Sequence, residues 1–175
     1  MPAPVLLGLG ANLGDPEAQL ARALELMAPA VEVERISSLY RSEPVGYAEQ
    51  RDFLNLVVAG RTSLEPRALL SVLQGVEGAL GRARSLPNRP RTIDVDLLAY
   101  GERVQADPDL TLPHPRLHLR GFVLYPLAEI APEWRHPLLG KSARELLSLT
   151  SVERVERLGP LRPFPAPLAP PAPPG

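Results

Sequence analysis

With 175 residues, 45% of them hydrophobic and 22% charged, the chain has the size and composition of one globular domain with a real core. A formal net charge of −1 excludes a global basic field for nucleic acid, so any anion site must be a local cluster of arginines. The absence of cysteine excludes disulfides, thiolate metal sites and a cysteine nucleophile. No apolar run approaches the roughly 18 residues that span a bilayer, and the N-terminus lacks a signal-peptide pattern, so a cytoplasmic protein without membrane contact is expected.

Residues 4–10, PVLLGLG, read as a short buried strand. The GLGANLGD stretch places its third glycine one position late for a dinucleotide fingerprint, and it reads instead as a tight turn into a helix. Asp15-Pro16 marks that helix start, Leu20, Ala23, Leu24 and Met27 form its apolar stripe, and Pro29 ends it. Residues 31–40 alternate as a strand, and Arg41 to Tyr47 is turn-rich. The strand over 52–63 puts Phe53, Asn55, Val57 and Ala59 on one face and Leu54, Leu56 and Val58 on the other. Asn55 is out of place in that run. Its amide is either satisfied by nearby backbone or aimed at a polar ligand.

Glu65-Pro66 opens a second helix, capped near Ser63 or Leu64 and ended by Gly81. Its apolar face is Leu69, Leu70, Val72, Leu73, Val76 and Leu80, and Glu77 reads as an exposed helical glutamate. After the loop 85–91 comes RTIDVDLL. Residues two apart in a strand face the same way, so Asp94 and Asp96 share one face while Ile93, Val95 and Leu97 enter a core. Paired carboxylates are unfavourable in a strand unless a divalent cation lies between them, and the upstream Arg89 and Arg91 suit phosphate. An exposed edge strand with solvated carboxylates is the plain alternative.

Downstream, short strands are expected at 103–105 and 110–112. A helical stretch over 116–131 should break at Pro126, and a last helix over 143–149 should be capped by Ser142. Gly140-Lys141-Ser142 is not a P-loop, because Arg135 stands where the first glycine belongs. A lone His114 is ordinarily structural, but its neighbourhood with Arg120 favours a phosphate donor. From Gly159 the chain is proline-rich and reads as a tail unable to form helix or sheet, which divides the chain into a domain over 1–158 and a tail over 159–175. The element order, βαββα followed by strands and helices, predicts an α+β ferredoxin-like sandwich with a mainly antiparallel central sheet.

Gly8 to Gly14, Ser38 to Gly46, Asp52 to Asn55, Gly81 to Arg84, Pro90 to Leu97, Pro113-His114 and Arg120 to Phe122 together resemble the 6-hydroxymethyl-7,8-dihydropterin pyrophosphokinase family of folate biosynthesis. The resemblance covers roughly residues 5–150. It implies transfer of pyrophosphate from ATP to the pterin hydroxymethyl group, with release of AMP. It further implies that Asp94 and Asp96 bind two Mg²⁺ and that Arg82 and Arg91 hold the β- and γ-phosphates. Arg84, His114 and Arg120 would complete the nucleotide cradle, with Leu70, Gln74, Leu97 and Thr111 beside the adenosine and Glu77 assisting. Ser42, Glu43, Val45 and Asn55 would read the pterin edge, and Phe53 and Phe122 would sandwich its ring. ATP and the pterin are then the partners, with no nucleic acid and no membrane, and the chain is expected as a monomer or weak homodimer. Two departures stand out: the loop before Pro90 is one residue short and lacks a tryptophan, and Pro115 replaces a tyrosine that often follows the histidine. An RNA-binding module on the same fold and a metal-dependent nucleotidyltransferase are the rival readings. The charge balance and the paired aspartates oppose the first, and product analysis separates the second.

Overall fold

A computed structural model describes residues 2–43, 52–81, 93–150 and 154–161. Its centre is a six-stranded antiparallel sheet built from β1 (Ala3–Ala11), β2 (Glu32–Ile36), β3 (Leu39–Ser42), β4 (Phe53–Thr62), β5 (Asp94–Tyr100) and β8 (Val155–Gly159). The order is β5-β1-β4-β3-β8, with β2 also paired to β4. Helix α1 (Pro16–Met27) links β1 to β2, and α2 (Pro66–Ala79) links β4 to β5. Each helix therefore joins two strands with a third lying between them, the split βαβ arrangement of the ferredoxin-like sandwich. The small strands β6 (Gln105–Ala106) and β7 (Thr111–Leu112) pair with each other. Helices α3 (Gly121–Ile130) and α4 (Ala143–Leu149) complete the described elements, none of which is long and apolar enough to cross a membrane.

Alternation along the strands sorts the core into two clusters, one on each face. Val5, Leu7 and Leu9 of β1, Leu56 and Val58 of β4, and Val95 and Leu97 of β5 pack under α1 and α2. Leu20, Ala23, Leu24 and Met27 of α1 and Leu69, Leu73 and Val76 of α2 cover them. The other face carries Leu6, Val57, Leu98 and Ala99, covered by Val123, Leu124 and Leu127 of α3 and by Leu146 of α4. A bulge opposite Leu6/Leu7 lets Leu98 and Ala99 join this second cluster together, although they are neighbours in sequence.

The helix starts follow local chemistry. Asp15 caps α1 by accepting the Ala18 N–H at 3.2 Å, with Pro16 in the first turn. Ser142 and Glu145 form a reciprocal capping box on α4. The residue before α2 is Glu65, one position beyond the expected cap, and it makes no side-chain cap bond.

Several expectations change. Gly8 and Gly10 lie in β1, within the strand expected over 4–10, so the turn read from GLGANLGD narrows to its end, where Gly14, at φ 61°, leads into α1. The strand expected over 31–40 is two strands. At the break, Ser37 bonds Val57 through both its backbone N–H and its hydroxyl, each at 2.9 Å. Helix α3 runs through Pro126 instead of breaking there, preceded by a 3₁₀ turn at Leu117–Leu119. Pro126 cannot donate to the Phe122 carbonyl, but the helix is anchored elsewhere. Glu129 accepts from the Ser38 N–H at 3.0 Å and from the Tyr40 hydroxyl at 2.8 Å, and Arg35 donates to the Ile130 carbonyl at 2.7 Å. The strand expected at 103–105 lies at 105–106. At the C-terminal end, β8 includes Gly159, which pairs with Leu39, and Leu161 is buried in the α1/α2 cluster. The folded unit thus continues past the expected boundary at 158. The proline-rich residues from 162 onward lie outside the described residues.

Candidate active site

The second sheet face is covered by α3 only at one end. At the other end β1 contributes Gly8 and Gly10, which have no side chains to fill the space. In register, Gly8 pairs with Asp96 and Gly10 with Asp94 on one side, and with Val57 and Asn55 on the other. A cavity of about 380 Å³ opens over this floor. Ser42, Glu43, Phe53, Asn55, Asp94, Asp96, Arg116, Arg120 and Phe122 line it. Asp94 and Asp96 are half-buried, while Ile93, Val95 and Leu97 between and beside them are buried in the opposite core. The two carboxylates therefore share one face, as the alternation requires.

Each wall has a structural cause. Asn55 and Ser42, each 5% exposed, lie on adjacent strands, and the Asn55 Nδ2 donates to the Ser42 Oγ at 2.7 Å. Glu43 is held by Arg154, whose Nη1 donates to its Oε1 at 3.2 Å. Arg120 stands at the start of α3 with its guanidinium 5.5 Å from the centre of the Phe122 ring, within cation–π range.

Across β5 lies a second cavity of about 290 Å³, lined by Leu70, Gln74 and Glu77 of α2, Asp96 and Leu97 of β5, and Thr111 and His114. β5 is the sheet's edge, so its outward backbone groups need partners. Glu77 supplies one: its Oε2 accepts the Val95 N–H at 2.9 Å, and the residue is 3% exposed. It is not the exposed helical glutamate that its sequence position suggested. The Leu98 carbonyl at the bulge accepts the His114 N–H at 2.8 Å, which ties the His114 segment to the same edge.

The His114 Nδ1 accepts the Arg116 N–H at 3.1 Å, which leaves Nε2 as the protonated nitrogen of the neutral ring. Burial, then the charges of Arg120 and Arg116, push its pKa down to about 4. The ring, on the wall of this cavity, is neutral at pH 7 and keeps Nε2–H as its donor.

Residues 6–132 match the sequence pattern of the family described as 7,8-dihydro-6-hydroxymethylpterin-pyrophosphokinase. The chain belongs to this family. It is 41% identical over 143 residues to the 2-amino-4-hydroxy-6-hydroxymethyldihydropteridine pyrophosphokinase of Aquifex aeolicus, covering 82% of this chain and 89% of that protein. It is 46% identical over 144 residues to the enzyme of the same name from Methylorubrum extorquens, covering 81% and 90%. Among solved structures, wild-type HPPK-DHPS of Plasmodium falciparum superposes with a TM-score of 0.69 at 16% identity, a likeness of fold. The match covers 85% of this chain and 45% of that one.

Within this pyrophosphokinase fold the residues singled out from sequence fall into two groups. Ser42, Glu43, Phe53, Asn55 and Phe122 line the larger cavity. Leu70, Gln74, Glu77, Leu97, Thr111 and His114 line the smaller one. Asp96 lines both, and Asp94 lines the larger. Arg120, expected with the nucleotide group, lies on the wall of the larger cavity. Val45, Arg82, Arg84, Arg89 and Arg91 lie outside the described residues. Sequence reasoning missed Gly8, Gly10 and Arg116. The period-2 alternation that exposed the aspartates also places both glycines on the site face. A cation two residues after His114 was the available signal for Arg116.

Proposed function

We propose that the two cavities divide the substrates of one reaction between them. Membership of the family gives that reaction: the pyrophosphoryl group of ATP passes to the hydroxymethyl oxygen of 6-hydroxymethyl-7,8-dihydropterin, and AMP is released. The observation that carries the assignment is that the cavities meet at Asp96. An aromatic and amide-lined chamber on one side suits a flat heteroaromatic ring with a polar edge. The chamber on the other side, with aliphatic walls and a neutral imidazole donor, suits a nucleoside and its phosphates.

In this reading Phe53 and Phe122 flank the pterin ring, while Asn55 and Ser42 read its edge. Leu70, Gln74, Leu97 and Thr111 surround the adenosine. His114 donates through Nε2–H to a phosphate oxygen, and Arg120 adds positive charge from the wall of the larger cavity. Arg82, Arg84 and Arg91, which lie outside the described residues, are assigned to the phosphates by the family resemblance alone. Glu77 acts by position: by holding the Val95 N–H it fixes the backbone between Asp94 and Asp96. The pterin oxygen then attacks the β-phosphorus in line with the departing AMP oxygen. Positioning and electrostatic stabilisation supply most of the acceleration.

The donor set fits Mg²⁺, which is usually held by one or two carboxylates with the remaining positions taken by phosphate oxygens and water. Bound at Asp94 and Asp96, two such ions would offset the triphosphate charge and the charge building on the leaving AMP. We further propose that the chain acts as a monomer or weak homodimer in the cytoplasm.

Phosphorus NMR of the reaction with Mg-ATP and the hydroxymethyl dihydropterin tests the reading. A pterin diphosphate ester and AMP in equal amounts are expected. ADP with a pterin monophosphate, or free pyrophosphate with a nucleotidylated product, would overturn it.

A further inference from the structure

Gly10 has a backbone conformation that any residue can adopt, since it is absent from the glycines with positive φ. Glycine in a strand interior is otherwise unfavourable, because it costs entropy and packs nothing. The demand for glycine here is therefore spatial. A Cβ at Gly10 would fall 2.8 Å from the Asn55 Oδ1, closer than real Cβ contacts come. Gly10 is the register partner of Asn55 on one side and of Asp94 on the other, so the Asn55 amide leans over the bare backbone towards the carboxylates.

The orientation of that amide is fixed from the other end. Its Nδ2 donates to the buried Ser42 Oγ at 2.7 Å, so the nitrogen faces Ser42 and the oxygen faces the space above Gly10. The cavity is thereby given an acceptor, suited to a ligand edge made of N–H groups. Turning the amide to make room for a methyl group would break the Ser42 bond and remove that acceptor.

We infer that Gly10 is a specificity-determining position that acts through Asn55: its missing side chain holds the amide oxygen in place to receive the N–H edge of the pterin. The inference rests on the reading of the larger cavity as the pterin site. The atom nearest the added Cβ is the end of a side chain, not backbone, so the fold can absorb the change while the recognition edge cannot.

Calorimetry decides it, with pterin titrated into protein saturated with a non-hydrolysable ATP analogue, and the analogue titrated separately. Wild type, Gly10→Ala, Asn55→Ala and the double variant complete a thermodynamic cycle. Gly10→Ala should weaken pterin binding roughly 10- to 100-fold, the range for a recognition edge left unpaired. Analogue affinity should change less than about twofold, and the protein should stay folded, its melting temperature falling by no more than the several degrees that one lost buried hydrogen bond costs. In the Asn55→Ala background, adding Gly10→Ala should cause no further loss, because the two changes disable one device. An equal loss in both backgrounds, an equal loss for both ligands, or a Gly10→Ala protein that fails to fold would overturn the inference. If Asn55→Ala alone binds pterin as tightly as wild type, the pterin reading of the cavity fails, a result distinct from the others.

Discussion

The two ends of one sheet face have opposite contents. At the closed end, Leu6, Val57, Leu98 and Ala99 lie under Val123, Leu124 and Leu127 of α3. A few residues along the same strands, at the open end, stand Gly8 and Gly10 with Asn55, Asp94 and Asp96. The boundary is the start of α3, where Arg120 and Phe122 form the wall of the cavity. Buried apolar area at the closed end holds the helix, and the helix holds the wall. The open end contributes chemistry in place of cohesion: carboxylates and an amide that would be costly in a closed core, and glycines that pack nothing. Substitutions at the two ends should therefore fail in different ways.

The largest effect is expected from Asp94→Ala or Asp96→Ala. Each should lower kcat/KM by about a thousandfold or more, a loss of roughly 4 kcal/mol in transition-state stabilisation, while circular dichroism and the melting temperature stay near wild type. A folded variant with near wild-type turnover in Mg²⁺ would end the metal assignment. At the closed end the pattern should reverse. Leu127 is fully buried, and Leu127→Ala should cost about 2–4 kcal/mol of stability through lost transfer energy and a cavity. Well below its melting point, this variant should bind both ligands normally. Urea titration and calorimetry test the two halves of that statement. Between the ends stands Phe122, which belongs to the helix but faces the cavity. Phe122→Ala should weaken pterin binding by about tenfold, the scale of one lost aromatic stacking contact, with little change for the nucleotide. Equal losses for both ligands would make Phe122 a packing residue and move the boundary of the site.

Much of the open end was legible in the chain itself. Strand alternation alone put Asp94 and Asp96 on one face and separated Asn55 from its aliphatic neighbours. The features that stayed hidden depend on tertiary placement. Glu77 looks like any surface glutamate until β5 is known to be an edge strand whose Val95 N–H needs an acceptor. Gly8 and Gly10 were legible as strand residues, but not that they make room above the strand floor, which depends on their register beside Asn55, Asp94 and Asp96. Pro126 read as a break because the packing that carries α3 through it cannot be seen locally. The proline-rich composition beyond Gly159 concealed a strand partner for Leu39 and a buried Leu161. The grouping of residues that proved to line two separate cavities came from family resemblance, since no local rule relates Leu70 to His114.

The smallest effect concerns His114, on the wall of the smaller cavity. Its folded-state pKa lies near 4 against an ordinary 6.5, with burial the first cause and the charges of Arg120 and Arg116 following. Above pH 6.5 the ring is neutral in both folded and unfolded chains and stability does not depend on it. Between pH 6.5 and 4 the unfolded chain takes up a proton that the folded chain refuses, so stability falls as the pH falls, levelling off below 4. Burial and then the charge of His118 also lower the pKa of His136, which adds a loss of the same sign. A comparison isolates the His114 share: wild type and His114→Gln, each unfolded with urea at pH 7.5 and at pH 5. The variant should lose less stability on acidification, by on the order of 1 kcal/mol after allowing for solvent around the half-exposed ring. Identical losses would mean that the smaller cavity is wet enough to leave the imidazole unperturbed. His114 would then meet the triphosphate as a partly charged group, and its part in the division between the cavities would have to be redrawn.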